Sequence, residues 1–209
     1  MKKNLFIGLL LICSIATIAQ VKSTDNKDVT KKWRARLRII DAVPPASSYS
    51  LTGADVKISS SVVPELDFSY FFNNNLALEL ILGTTHHKVT AEGSGATTNL
   101  GEVWLLPPTL NLQYHFPMGS FKPYVGAGLN YSLFYSVKDD AASLSYTNNV
   151  GISTQFGFDY NLNDKWFLNF DVKKIFVQTD VTVKGTPNTV LSGVKVDPWV
   201  IGLGVGIKF

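Results

Sequence analysis

Along most of this chain, large apolar residues return at every second position, with small or polar residues between them. Side chains of a strand alternate between two faces, so this pattern predicts strands with one greasy face. In residues 33–43, Trp33, Ala35, Leu37 and Ile39 oppose Arg34, Arg36 and Arg38. In 61–72, Val62, Pro64, Leu66, Phe68, Tyr70 and Phe72 oppose Glu65, Asp67 and Ser69. In 76–85, Leu76, Leu78, Leu80 and Leu82 oppose Ala77, Glu79, Ile81 and Gly83. In 103–116, Trp104, Leu106, Leu110, Leu112, Tyr114 and Phe116 oppose Thr109, Asn111, Gln113 and His115. The pattern continues through 121–135, 144–160 and 165–178 and closes with 197–209, where Trp199, Ile201, Leu203, Val205, Ile207 and Phe209 alternate with mostly small residues. The glycines of that last segment have the spacing G-x-G-x-G and no helix can follow them, which excludes a phosphate-binding loop.

These are eight strands with no helical period between them. Most of the runs reach the roughly 9–11 residues that cross a bilayer at a tilt. Tight polar turns at 73–75, 117–120 and 161–164 alternate with longer segments at 44–60, 86–102, 136–144 and 179–194, read as long loops rich in Ser, Thr, Gly, Asp and Asn. That alternation predicts an all-β fold, an eight-stranded antiparallel up-and-down transmembrane β-barrel, against a soluble exported protein as the other option. The expected setting is the bacterial outer membrane, with long loops extracellular and both termini periplasmic. Trp33 and Trp166 fall at the tight-turn end of the greasy face, and Trp104 and Trp199 at the other; with Phe209 they form an interfacial belt.

Composition sharpens this reading. Charged residues make up 17% of the chain, below the roughly 25% of soluble domains. Residues 1–19 read as a cleaved signal peptide: Lys2 and Lys3, a short apolar run from Leu5 to Ile12, then Thr17-Ile18-Ala19. Residues 20–32 become a periplasmic tail and 33–209 the barrel. Cys13 is the only cysteine and lies in the signal, so the mature chain forms no disulfide. Without Lys2 and Lys3, seventeen basic residues face 16 acidic ones, and no basic stripe points to nucleic acid.

An eight-stranded barrel is filled by its inward side chains. Glycines leave room on one side for Arg34, Arg36, Arg38 and Lys173, which must pair with Glu65, Asp67, Glu79, Asp159 and Asp171 because buried charges need partners. A crossed network is expected to narrow the lumen at mid-height or below. Lys174 falls on the lipid face. Either it snorkels to the outer boundary, or a bulge at Lys173-Lys174 resets the register; apolar Ile175 and Val177 lean toward the bulge.

Leu106-Pro107-Pro108-Thr109-Leu110-Asn111-Leu112-Gln113-Tyr114-His115-Phe116, the stretch Lys122-Pro123-Tyr124-Val125-Gly126-Ala127-Gly128-Leu129-Asn130-Tyr131, and Asp197-Pro198-Trp199-Val200-Ile201-Gly202-Leu203-Gly204 resemble the OmpW family. Val63-Pro64-Glu65-Leu66-Asp67 followed by Leu76-Ala77-Leu78-Glu79-Leu80 matches as well. The resemblance spans 33–209. It implies an outer-membrane barrel with an apolar passage for small hydrophobic molecules that leave sideways into the membrane.

Several residues are singled out for function. Ile81 and Leu105 face inward in the outer half and, with Leu100 and Val103, are expected to line an apolar ligand pocket. Pro107 and Pro108 break the fourth segment, and Val63-Pro64 stand near the outer half of the second. These four mark either a lateral opening or a bulge that only adjusts curvature. Adjacent His86 and His87 face opposite sides and cannot share a metal without a bend, and His115 has no evident nucleophile. No catalytic residue, metal or cofactor is therefore assigned. The expected function is passive uptake of small hydrophobic solutes, with partners limited to outer-membrane lipid, those solutes, and the barrel-assembly machinery through the C-terminal strand. The rival is a structural or surface-recognition barrel whose loops bind a partner without transport; an enzyme stands third.

Overall fold

A computed structural model describes residues 31–51, 54–93, 95–139, 143–184 and 189–209. The expected signal peptide and residues 20–30 of the expected tail lie outside the described residues. The strands are β1 (Trp33–Val43), β2 (Tyr49–Leu51), β3 (Ala54–Ile58), β4 (Ser61–Phe71), β5 (Leu76–Gly83), β6 (Thr85–Gly93), β7 (Ala96–Leu106), β8 (Thr109–His115), β9 (Phe121–Asp139), β10 (Leu144–Tyr146), β11 (Asn149–Asn161), β12 (Trp166–Phe176), β13 (Gln178–Val183), β14 (Thr189–Lys195) and β15 (Trp199–Lys208).

Eight of them close a ring: β1, β4, β5, β8, β9, β11, β12 and β15, with β15 returning to β1. Every pairing in the ring is antiparallel. The period-two pattern dictates this arrangement, since closure satisfies the backbone while every greasy face looks out. Leu203 is 65% exposed and Ile39 58%, whereas Arg36, Arg38, Asp67 and Glu79 are fully buried. A surface so apolar around an interior so charged suits a hydrocarbon solvent.

The segments expected as long loops fold differently. Most of 86–102, 136–144 and 179–194 is strand and 44–60 carries β2 and β3, forming a second tier above the barrel. In that tier β2, β3, β6, β7 and the upper part of β9 make one sheet, and β10, β13 and β14 another. Val56, Val89, Val181 and Val194 are buried between them. Their Ser- and Thr-rich neighbours read as loop by polarity, but threonine is β-branched and suits a pleated edge.

Lys174 involves no bulge. The β12 register runs unbroken through Lys173↔Val200 and Lys174↔Trp199. The ammonium instead reaches the Asp197 carbonyl oxygen and lies 5.2 Å from the Trp199 ring, so the side chain snorkels to the boundary.

Glycines make the tight lumen possible. A Cβ on Gly204 would lie 2.2 Å from the Leu37 carbonyl and 2.6 Å from Arg38 Cγ, while one on Gly83 would meet nothing closer than 3.6 Å. Gly204→Val is therefore expected to abolish most of the folded, heat-modifiable band on electrophoresis after refolding in detergent. Gly83→Ala is expected to fold as well as the parent.

Candidate functional site

Inside the barrel the strands carry their charges at one height. Arg38 sits among four carboxylates: its guanidinium is 3.0 Å from Glu65, 2.5 Å from Asp67, 2.9 Å from Glu79 and 3.5 Å from Asp171. Arg36 holds Asp67 at 2.6 Å, donates to Glu79, and donates to Ser69 Oγ at 2.6 Å. Arg34 pairs with Asp159 at 2.8 Å and lies 3.6 Å from the centre of the Phe71 ring. Lys173 binds Asp171 at 2.7 Å and Glu65 at 3.1 Å. Thus the nine charged residues named from the sequence form one cluster.

Neutral side chains complete it. Tyr124 donates to Asp171 at 2.7 Å, and Gln155 donates to both Asp171 (2.7 Å) and Glu79 (2.9 Å). Sequence reasoning missed Tyr124, although its inward parity was readable from Val125 and Gly126 beside it. Below, fully buried Phe71, Phe167, Tyr124 and His115 floor the lumen. The result is a plug and not a pore.

Above the plug the inward face changes character on several strands. Arg38 is followed inward by Ile40, Glu79 by Ile81, Lys173 by Ile175, and Gly202 by Val200. With Leu105, Val177 and Val196 these line a lower chamber of about 40 Å³. A second chamber of about 180 Å³ lies between the two sheets of the upper tier, walled by Val56, Val89, Leu100, Val103, Val181 and Val194, with Phe134 and Tyr146 on one side. Of the four pocket residues named from the sequence, Ile81 faces the lower chamber, Leu100 and Val103 the upper, and Leu105 both.

His87 also faces both chambers, a position sequence reading did not assign. Its Nδ1 donates to the Ser59 carbonyl at 2.6 Å, and Nε2 lies 2.9 Å from Thr85 Oγ1. Burial pushes its pKa below the usual imidazole range, partly opposed by the Ser59 carbonyl. His86 points outward, stacked on Trp104 and 3.1 Å from Glu102. His115 is buried near the tight-turn end beside Gln113. No cluster of three or more metal-ligating residues occurs among the described residues.

The wall beside the lower chamber is interrupted. β5 pairs β8 as far as Ile81↔Thr109, and β6 pairs β7 from Thr85↔Leu105. Between them Leu82–Thr84 and Leu106–Pro108 face each other, with no ladder pairing. The register is the same on both sides, so no residue is inserted. Pro107 and Pro108 have no N–H to offer. Their carbonyls turn to β9 and the lumen: Tyr131 N donates to Pro108 O at 3.0 Å, Thr109 Oγ1 to Pro107 O at 2.9 Å, and Asn130 Nδ2 to Pro107 O at 3.2 Å. Val63 and Pro64 lie one strand away on β4, whose pairing with β5 ends at Glu65↔Gly83.

Comparison with known proteins locates this architecture. The OmpW family model matches residues 34–209. An outer-membrane protein of Sinorhizobium fredii, y4mB, is 46% identical, the match covering 85% of this chain and 80% of the relative. Outer membrane protein W of Vibrio cholerae is 32% identical over 95% of this chain and 98% of its own. The crystal structure of OprG from Pseudomonas aeruginosa superposes with a TM-score of 0.77 at 28% identity, covering 86% of this chain and 96% of that one.

Removing one partner from a buried ionic cluster strands the others. Arg38→Met is expected to lower stability by about 3–5 kcal/mol in urea unfolding from lipid vesicles, because four carboxylates lose their shared cation. Lys174→Met, on the outer face, is expected to leave the midpoint unchanged or raise it.

Proposed function

The chain belongs to the OmpW family of outer-membrane barrels, and from that premise we propose that it takes up small neutral apolar molecules passively. A solute reaches the upper chamber from the long-loop end, which faces outside, passes Leu105 and His87 into the lower chamber, and leaves through the wall at Leu82–Thr84 and Leu106–Pro108. The plug blocks the straight path, and an apolar solute gains nothing by crossing it.

One observation carries this reading: an apolar chamber stands directly over a charged plug. A scaffold could fill that space with side chains, as it does below, and close packing would be more stable. In another protein an engineered cavity of about 150 Å³ holds benzene. The upper chamber is about 180 Å³, which suits a molecule of that size or slightly larger. His87 has both ring nitrogens engaged, so it presents no free donor to a polar solute.

Proteoliposomes enclosing an indicator for toluene test the route. Val103→Trp, which fills the upper chamber, is expected to cut uptake at least about tenfold while the folded band persists. Because Cys13, in the expected signal peptide, is the chain's single cysteine, Leu82→Cys with Pro108→Cys in a chain begun after it places a single pair across the unpaired stretch. Oxidation of that pair is expected to stop delivery, and reduction to restore it. Equal uptake by the oxidised and reduced forms removes the wall as the exit. No uptake by the parent, with partner binding that depends on the upper tier, favours the surface-recognition barrel.

A further inference from the structure

Surface lysines stand at both ends of the barrel. In the upper tier Lys57 binds Glu92 at 2.5 Å and Lys88 lies 4.0 Å from Glu102, whereas Lys138, Lys184 and Lys195 form no ion pair among the described residues. At the tight-turn end, Lys31, Lys32, Lys165 and Lys208 form no ion pair among the described residues. Lys31 Nζ donates to the Asp164 carbonyl at 3.1 Å, and Lys208 Nζ to Asn161 Oδ1 at 2.5 Å. Neither acceptor carries a charge. Among the described residues Asp164 is the other acidic side chain at this end, since Asp159 is taken by Arg34.

A second feature marks the depth of this rim. Trp33, Phe72, Tyr114, Phe121, Tyr160, Trp166 and their neighbours form a band of exposed aromatic rings around the same end. Trp33 meets Tyr70 edge-on at 5.0 Å, and Phe121 meets Phe158 at 5.0 Å. Tyrosine and tryptophan gather where hydrocarbon gives way to headgroups. Lys31, Lys32 and Lys165, directly beyond that band, stand at the level of lipid phosphates, whereas Lys208 turns over the buried Phe167 ring.

We propose that this lysine rim is a binding surface for anionic phospholipid headgroups, with the ammonium groups seated on lipid phosphates of the leaflet at the tight-turn end. The surface is separate from the chambers and independent of solute uptake. It also orients the barrel, because the tight-turn end then belongs in the leaflet that carries anionic phospholipid.

Native mass spectrometry of the refolded mature chain, released from mixed micelles of equimolar phosphatidylglycerol and phosphatidylcholine, tests it. The parent is expected to retain phosphatidylglycerol in preference, each rim lysine contributing up to about fivefold. The triple variant Lys31→Gln, Lys32→Gln, Lys165→Gln is expected to lose that preference, and the corresponding triple Lys→Arg variant to keep it. Lys57→Gln, Lys88→Gln, Lys184→Gln, at the far end, is expected to behave as the parent. Preference surviving in the rim Gln variant, or falling equally in the far-end variant, overturns the proposal. So does its loss to an excess of inorganic phosphate, which would show capture of a free anion instead of a lipid. The folded band on electrophoresis confirms that each variant is a closed barrel before it is weighed.

Discussion

An eight-stranded ring is only wide enough for side chains, and that narrowness governs everything else here. Whatever faces inward fills the lumen. Where β1, β4, β5 and β12 turn arginine, carboxylate and lysine inward, β9, β11 and β15 answer with glycine, and the charges interlock across the gap. Lipid enforces the rest. It accepts no unpaired backbone group, so the ladder closes, and it makes an exposed charge costly away from its boundaries, so all but snorkelling Lys174 among the barrel's mid-height charges go inside. A barrel built this way cannot be an open tube at its middle.

The upper half departs from that logic. Its inward positions turn apolar at Ile40, Ile81, Ile175 and Val200, and the strands extend past the barrel into two facing sheets with space between them. Beside this space the ladder lapses at two prolines without any change of register. The carbonyls freed there are taken up by Thr109, Asn130 and Tyr131, so the lapse leaves Pro107 and Pro108 without orphaned acceptors. A wall can thus be thin at one place and still stable. In the proposed route the chamber's apolar surface and the lipid's meet there, and a greasy molecule need never cross the plug.

The ring itself was legible because alternation is a strong signal when one face meets hydrocarbon and the other meets charge. Arg34-Ala35-Arg36-Leu37-Arg38 admits one orientation. The charged cluster followed from the same parity, since every buried charge had to find an opposite. The upper tier was less legible. There both faces contact something partly polar or partly apolar, so contrast falls and Thr-rich strands such as Thr85–Gly93 look like loop. The lining of the chambers was only half visible for a related reason. Ile40 and Val200 follow Ile39 and precede Ile201, and a pair of adjacent apolar residues hides which of them faces inward. Tyr124 is unassigned in the sequence reading although its parity places it inside, and His86 and His87 are read as facing opposite sides without either being assigned to the lumen. For Lys174 the pattern leaves snorkelling and a bulge both open, with apolar neighbours leaning toward the bulge; a four-carbon stem reaches the boundary without one.

Methyl-resolved NMR of the barrel in deuterated nanodiscs, with toluene added, tests the account most directly. Cross-relaxation from the aromatic protons to the methyl groups of Val103, Leu105, Val181 and Val196 is the result this account predicts. Contacts confined to lipid-facing methyls such as those of Leu37, Leu129 and Leu203, with the chamber methyls silent, would contradict it.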